Sequence, residues 1–132
     1  MVAKRVRRPF RLTYKDILLI LLGMARQDAL QGSLPLLILT LLARRGPLHG
    51  YGLATEIESM SDETLRVQEG SLYPALHRLE EAGWIKARWK TTDTGRRARV
   101  YEITAGGRTQ LDSEETRWRA ITAAVGKILK HA

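Results

Sequence analysis

The sequence predicts a mainly α fold with a small β-hairpin, on three observations. Apolar residues recur at helical spacing in three short stretches before residue 83. A strict apolar–basic alternation follows immediately, the period of a strand, and residues 105–132 then return to helical spacing. The chain has 132 residues, enough for one domain with a modest core and too few for two ordinary ones.

Residues 1–28 are expected to form a basic N-terminal arm leading into a short apolar helix. Lys4, Arg5, Arg7, Arg8, Arg11 and Lys15 oppose only Asp16, a balance of +5 over the first 16 residues. The apolar run 17–22 that follows resembles part of a signal peptide. No convincing small-x-small cleavage site precedes Arg26, Gln27 and Asp28, and the run falls short of the roughly 20 residues a membrane span needs. Met24 opens MARQDALQG, which reads as a natural protein start, so an over-extended reading frame is the alternative for the segment before it. Without that segment the balance is 16 cations against 13 anions, or +3.

Residues 29–104 are expected to form one compact unit. Ser33 suits the N-cap of a first helix over 34–43, and Pro35 suits its first turn, where amide hydrogens have no helical partner. That helix is apolar nearly all round and therefore buried; Arg44, Arg45, Gly46 and Pro47 end it. A second helix runs from about Gly50 to Met60, with Leu53, Ile57 and Met60 on one face. Residues 65–68 form a short strand or a turn. A third helix, capped within 68–71, turns Leu72, Ala75, Leu76, Leu79 and Ala82 inward. Pro74 falls in its first two turns, where a missing amide hydrogen costs little, and Gly83 closes it. Ile85, Ala87 and Trp89 then alternate with Lys86, Arg88 and Lys90 in a strand over 84–90, residues 91–95 turn, and 98–103 return.

Residues 105–132 are expected to form a dimerisation helix capped by Thr104. Leu111, Trp118, Ile121, Val125, Ile128 and Leu129 make one stripe, which three short helices and a hairpin offer little surface to cover. Folding back onto its own domain is the plainer alternative. Three helices followed by a hairpin make a winged helix-turn-helix, in which the later helix of the pair enters the major groove of double-stranded DNA.

Charge and composition narrow the function. Lys and Arg number 22 against 14 Asp and Glu, giving +8 and a polyanionic partner, either nucleic acid or an anionic membrane surface. The absence of cysteine excludes disulfides and thiolate metal sites and fits a cytoplasmic address. His49, His77 and His131 lie too far apart in sequence for metal-ligand spacing, so no metal or other cofactor is expected. Neither a glycine-rich phosphate loop nor a GxSxG motif is present. Ser71, Tyr73 and His77 share the third helix, but no carboxylate–histidine pair orients them, so an enzyme is not expected.

With the leucines inward, Ser71, Tyr73, Pro74, His77 and Arg78 lie on or flank the outer side of the third helix, the side that reaches bases and phosphates. Each has a plainer role: a cap for Ser71, packing under the helix for Tyr73, a surface ion pair with Glu80 or Glu81 for Arg78. The hairpin is the stronger electrostatic signal. Lys86, Arg88, Lys90, Arg96, Arg97 and Arg99 against Asp93 give +5 in fourteen residues, whereas 56–69 holds five acids against Arg66 alone. Such arginines follow phosphates or enter the minor groove, unless they merely solvate a turn.

Several motifs at their mutual spacing resemble the PadR family of bacterial transcriptional regulators: GPLHGYGLATEIE (46–58), VQEGSLYPALHRLEEAGWI (67–85), GRRARVYEIT (95–104) and AGGRTQL (105–111). The likeness covers about 26–130 and is nearest the short-tailed subgroup with one C-terminal helix, where QGSLPLLIL leads the first helix. It implies a homodimer whose last and first helices build the interface. It also implies repression at an operator, released by a small-molecule effector or another signal of unknown identity. The family's reading helix maps onto Ser71, Leu72, Tyr73, Pro74 and His77, and its wing basics onto Arg96, Arg97 and Arg99. Pro35 stands where an acidic residue is expected, and the basic arm lies outside the pattern. Trp118, in the expected seam, either stacks a flat hydrophobic effector or is plain core. A competing reading makes the chain a membrane-surface module anchored by the arm and residues 17–22, which leaves the basic hairpin unexplained.

Overall fold

The structure, a computed structural model, describes residues 32–132. The basic arm and short helix expected within 1–28 lie outside the described residues. The described chain runs α1 (32–45), β1 (Leu48–His49), α2 (Gly50–Met60), α3 (Glu69–Glu81), β2 (Ile85–Thr91), β3 (Arg97–Ile103) and α4 (Ala105–His131).

The core forms where the stripes meet. Helix α1 supplies Leu34, Ile38, Leu39, Leu41 and Leu42, and α2 supplies Leu53 and Ile57. Leu72, Ala75, Leu76 and Leu79 enter from α3, Ile85 and Tyr101 from the sheet, and Leu111 from α4. Each fully buried leucine contributes about 1.5–3 kcal/mol, so these helices hold through packing rather than propensity. Ser33, expected to cap α1, instead lies inside the helix and is buried, because the helix is already formed at residue 32. Met60, expected on the inner face of α2, is exposed, since it occupies the last turn, beyond the core.

Helix α2 is capped by a residue that also belongs to the sheet. His49 is extended, at φ −84° and ψ 167°, and its Nδ1 accepts from the Gly52 amide at 3.0 Å. The other end turns through Asp62 and Glu63, both left-handed at φ 51° and 63°. The segment expected at 65–68 to be a strand or a turn is irregular, and the Val67 amide in it donates to Glu58 Oε1 at 3.3 Å.

Helix α3 starts at Glu69 behind an N-cap at Gln68, whose side chain makes no capping bond; Ser71 lies inside the first turn and is not the cap. Gly83, at φ 80°, ends the helix: its amide donates to the Glu80 carbonyl at 2.9 Å and the Trp84 amide to the Leu79 carbonyl at 3.0 Å. This paired closure is the Schellman motif, and Trp84 packs on the core beside it.

The sheet has three antiparallel strands in the order β1-β3-β2. The hairpin pairs Ile85 with Ile103 and Thr91 with Arg97, and the two residues of β1 add Leu48 against Tyr101 and His49 against Val100. Thus the expected two-stranded hairpin gains a short third strand, which ties the start of α2 to the wing.

Helix α4 is seated on the end of α3. Thr104 Oγ1 donates to the Gly83 carbonyl at 2.7 Å and accepts from the Gly107 amide at 3.0 Å, while the Thr104 amide donates to the Trp84 carbonyl at 3.1 Å. Its 27 residues make a rod of about 40 Å at 1.5 Å per residue. Residues 116–132 are all exposed, so the far half of the rod projects from the rest of the described chain.

Candidate nucleic-acid interface

Helix α3 presents the outer face that its stripe dictates. Tyr73, Pro74, His77 and Arg78 are exposed and Ser71 is half-buried. The Tyr73 ring lies against the first turn of α2, where Gly50 makes room: a Cβ there would sit 2.9 Å from the Tyr73 hydroxyl. Tyr73 is nevertheless 45% exposed, so it both packs and faces out. His77 Nε2 lies 3.1 Å from Glu81 Oε1. Arg78 pairs with no carboxylate among the described residues, although Glu80 and Glu81 lie close in sequence; they face Arg99 and His77 instead.

The wing cations divide into two groups. Lys86 and Arg88 share Glu102, at 3.4 and 3.7 Å, and Arg99 pairs with Glu80 at 3.1 Å. Lys90, Arg96 and Arg97 are exposed and, among the described residues, have no carboxylate partner. The tip that carries them is held by its own turn: the Thr92 amide donates to the Arg96 carbonyl at 2.7 Å, and Gly95 takes φ 83°. A tip fixed in this way loses little freedom when it meets a polyanion.

Trp89 lies beneath the arginines. The alternation that placed it with Ile85 and Ala87 is kept, but the strand outruns the core. Exposure therefore climbs from 2% at Ile85 to 58% at Trp89. The guanidinium groups of Arg97 and Arg99 lie 5.1 and 5.9 Å from the Trp89 ring centroid, within cation–π range. Tyr101, on the same strand as Arg99, has its phenol pushed above its ordinary value by burial. The nearby Arg99 opposes that shift, and Glu80 and Tyr73 reinforce it.

His49, Tyr51, Tyr73, Trp89, Arg96, Arg97 and Arg99 together line one open groove between the helix pair and the wing. Sequence reasoning had not placed His49, Tyr51 and Trp89 there. For Tyr51 a signal existed: it lies off the Leu53–Ile57 face, at the exposed start of α2, and its ring stacks on His49 with centroids 6.3 Å apart. For Trp89 the signal was the hairpin register, which sets Arg99 directly across from it.

The expected seam on α4 divides as well. Trp118, Ile121, Val125, Ile128 and Leu129 are exposed along the free part of the rod. Leu111 is not part of that stripe: it is 8% exposed and belongs to the core, because α4 still touches its own domain at that turn. Trp118 and Ile121 also border a shallow groove closed by Ser33 and Leu36 of α1. No group of three His, Asp or Glu side chains among the described residues is placed to hold a metal, and no helix among them is long and apolar enough to cross a membrane.

The family described as the transcriptional regulator PadR-like family matches residues 38–113, from the core of α1 to the first turns of α4. A PadR family transcriptional regulator from Eggerthella lenta has a similar solved structure, at 28% identity and TM-score 0.70, covering 90% of this chain and 97% of that one. A transcriptional regulator from Clostridium thermocellum is similar at 30% identity and TM-score 0.69, over 76% of this chain and 96% of that one. A transcriptional regulator of Mycobacterium tuberculosis is 40% identical over 67 residues, 51% of this chain and 59% of that protein.

Proposed function

Because the chain belongs to the PadR-like family of transcriptional regulators, we propose that it acts as a homodimeric repressor that binds a palindromic operator and is released by a signal not yet identified. The observation that carries the DNA contact is the set of cations Lys90, Arg96 and Arg97, without a carboxylate partner among the described residues, on the wing beside the outer face of α3. Ser71, Tyr73, Pro74, His77 and Arg78 take the reading role in the major groove, and the wing takes phosphates or the minor groove. Dimerisation is supported by the exposed stripe Trp118, Ile121, Val125, Ile128 and Leu129 along a helix whose residues 116–132 are all exposed. An antiparallel or crossed pairing of two such rods would remove these side chains from water. Two copies would place two reading helices on half-sites about one helical turn apart. An effector that is flat and apolar would find Trp118 in that seam. On this reading residues 29–104 bind DNA, 105–132 dimerise, and the basic arm of 1–28 is an accessory to either.

Salt dependence tests the DNA contact. These three wing cations per protomer put about six phosphate contacts in a dimer, so the logarithm of affinity for a duplex should fall against the logarithm of salt with a slope near −5. Between 50 and 200 mM salt that is about a 10³-fold loss, read by fluorescence anisotropy of a labelled duplex. Affinity that is flat with salt would remove the phosphate contacts and the reading with them.

A further inference from the structure

Arg99 differs from its wing neighbours in what surrounds it. Its Nη2 donates to Glu80 Oε2 at 3.1 Å, from β3 across to the last turn of α3. Its guanidinium also lies 5.9 Å from the Trp89 ring and 6.0 Å from the Tyr101 ring. The Glu80 side chain is only 23% exposed, and no other side-chain hydrogen bond or ion pair among the described residues joins α3 to β2 or β3. Arg97, two residues earlier on the same face, shares the Trp89 ring but has no carboxylate partner among the described residues.

The two arginines are therefore prepared for different tasks. For Arg99 to reach a phosphate it would have to leave Glu80, and the carboxylate would remain beside the polyanion. A planar guanidinium that bonds a carboxylate at its edge and faces aromatic rings uses properties that an ammonium lacks. We infer that Arg99 and Glu80 form a tie that sets the angle between the wing and the reading helix, with Trp89 and Tyr101 as its walls, and that Arg99 is a positioning residue rather than a phosphate contact. The consequence is specificity. A helix reading base edges and a wing gripping the backbone must meet the duplex in one register, and this tie fixes that register before binding. The inference rests on the DNA-binding reading above, and it narrows the wing contacts to Lys90, Arg96 and Arg97.

The test compares Arg99→Lys, Glu80→Gln and Arg97→Ala with the wild-type chain. Two labelled duplexes serve as probes, one enriched by selection from a random library and one unrelated, each across a salt series. Arg99→Lys keeps the charge and loses the planar guanidinium that faces Trp89 and Tyr101; Glu80→Gln keeps the shape and loses the charge. Each should lower the discrimination between the two duplexes by about tenfold, the loss of one charge-assisted hydrogen bond, with the salt slope unchanged. Arg97→Ala removes one contact from each protomer and should lower the slope by about two for both duplexes. Discrimination retained in Arg99→Lys and in Glu80→Gln would overturn the tie, since a phosphate cation tolerates the first change and gains from the second. If the wild-type chain binds neither duplex, the DNA-binding reading fails on its own, and the free protein still decides the tie. Glu80→Gln should then lower the backbone order parameters of wing residues 91–98 measured by nuclear spin relaxation, and unchanged order would overturn it.

Discussion

Gly107→Ala is a sharp test of how the C-terminal helix is seated. Gly107 lies in the first turn of α4, against the residue that follows the end of α3. A Cβ there would land on the Trp84 carbonyl oxygen, 3.0 Å from the Trp84 carbonyl carbon and 2.7 Å from Ile103 Cγ1. The obstacle is mostly backbone, so it cannot swing aside as the tip of a flexible side chain would. Helix α4 must move out, which strains the Thr104 bonds to Gly83, Trp84 and Gly107. Overpacking costs about 1–3 kcal/mol, and the weakened cap about 1 more. The better helix propensity of alanine returns up to about 1 kcal/mol. The net loss is about 1–3 kcal/mol, which for a chain of this size lowers Tm by about 3–15 °C. Thermal unfolding followed by circular dichroism at fixed protein concentration reads it. Gly126→Ala is the control: it sits in the same helix with nothing within 4 Å of the added methyl, and should gain about 0.5–1 kcal/mol. A Gly107→Ala variant as stable as the wild-type chain would refute the close approach of α4 to the α3–β2 junction.

Other outcomes follow from the same geometry. Arg97→Ala should weaken binding to every duplex alike, by about tenfold near physiological salt, because an exposed wing guanidinium carries no base information; a loss confined to one sequence would contradict this. His77→Ala should instead change the order of preference among duplexes at nearly constant average affinity, as competition binding would show. Val125→Asp should weaken self-association by about a hundredfold or more, since the carboxylate would be desolvated in the seam, while Tm of the isolated domain changes little because Val125 is exposed in one chain. Unchanged mass in sedimentation would move the interface elsewhere. The raised pKa of Tyr101 has an alkaline signature: the unfolded phenol ionises first, so stability is full below about pH 10 and falls as pH rises from there through the folded value. Tyr101→Phe should flatten that fall in Tm scans, and an equally steep fall would exclude Tyr101 as its source.

Much of this arrangement was legible in the chain because it depends on local spacing. The leucines of α3 recur at three and four, so their burial and the exposure of His77 and Arg78 follow from the 3.6-residue turn. Gly83 marks the end of α3 for a local reason too, since the left-handed turn of its closing motif favours glycine. What was hidden depends on partners distant in sequence. Two residues cannot show a period, so β1 exists only through its pairing with β3. His49 becomes a cap because that pairing holds it extended. Leu111 reads as one more member of the apolar stripe, and only the seating of α4 on the domain separates it from Trp118. Arg99 reads as one basic residue among six on the wing, and the structure distinguishes it by the carboxylate nineteen residues away. Charge counting finds the basic face; which of its cations are held by carboxylates needs the fold.

The most direct test of the account is selection of bound duplexes from a random library by the full chain near physiological salt. The account predicts an enriched inverted repeat whose half-sites lie about one helical turn apart, the signature of two reading helices related by a two-fold axis. Enrichment of no sequence by a folded dimer would contradict sequence-specific repression and leave non-specific attraction to polyanions as the use of the basic wing.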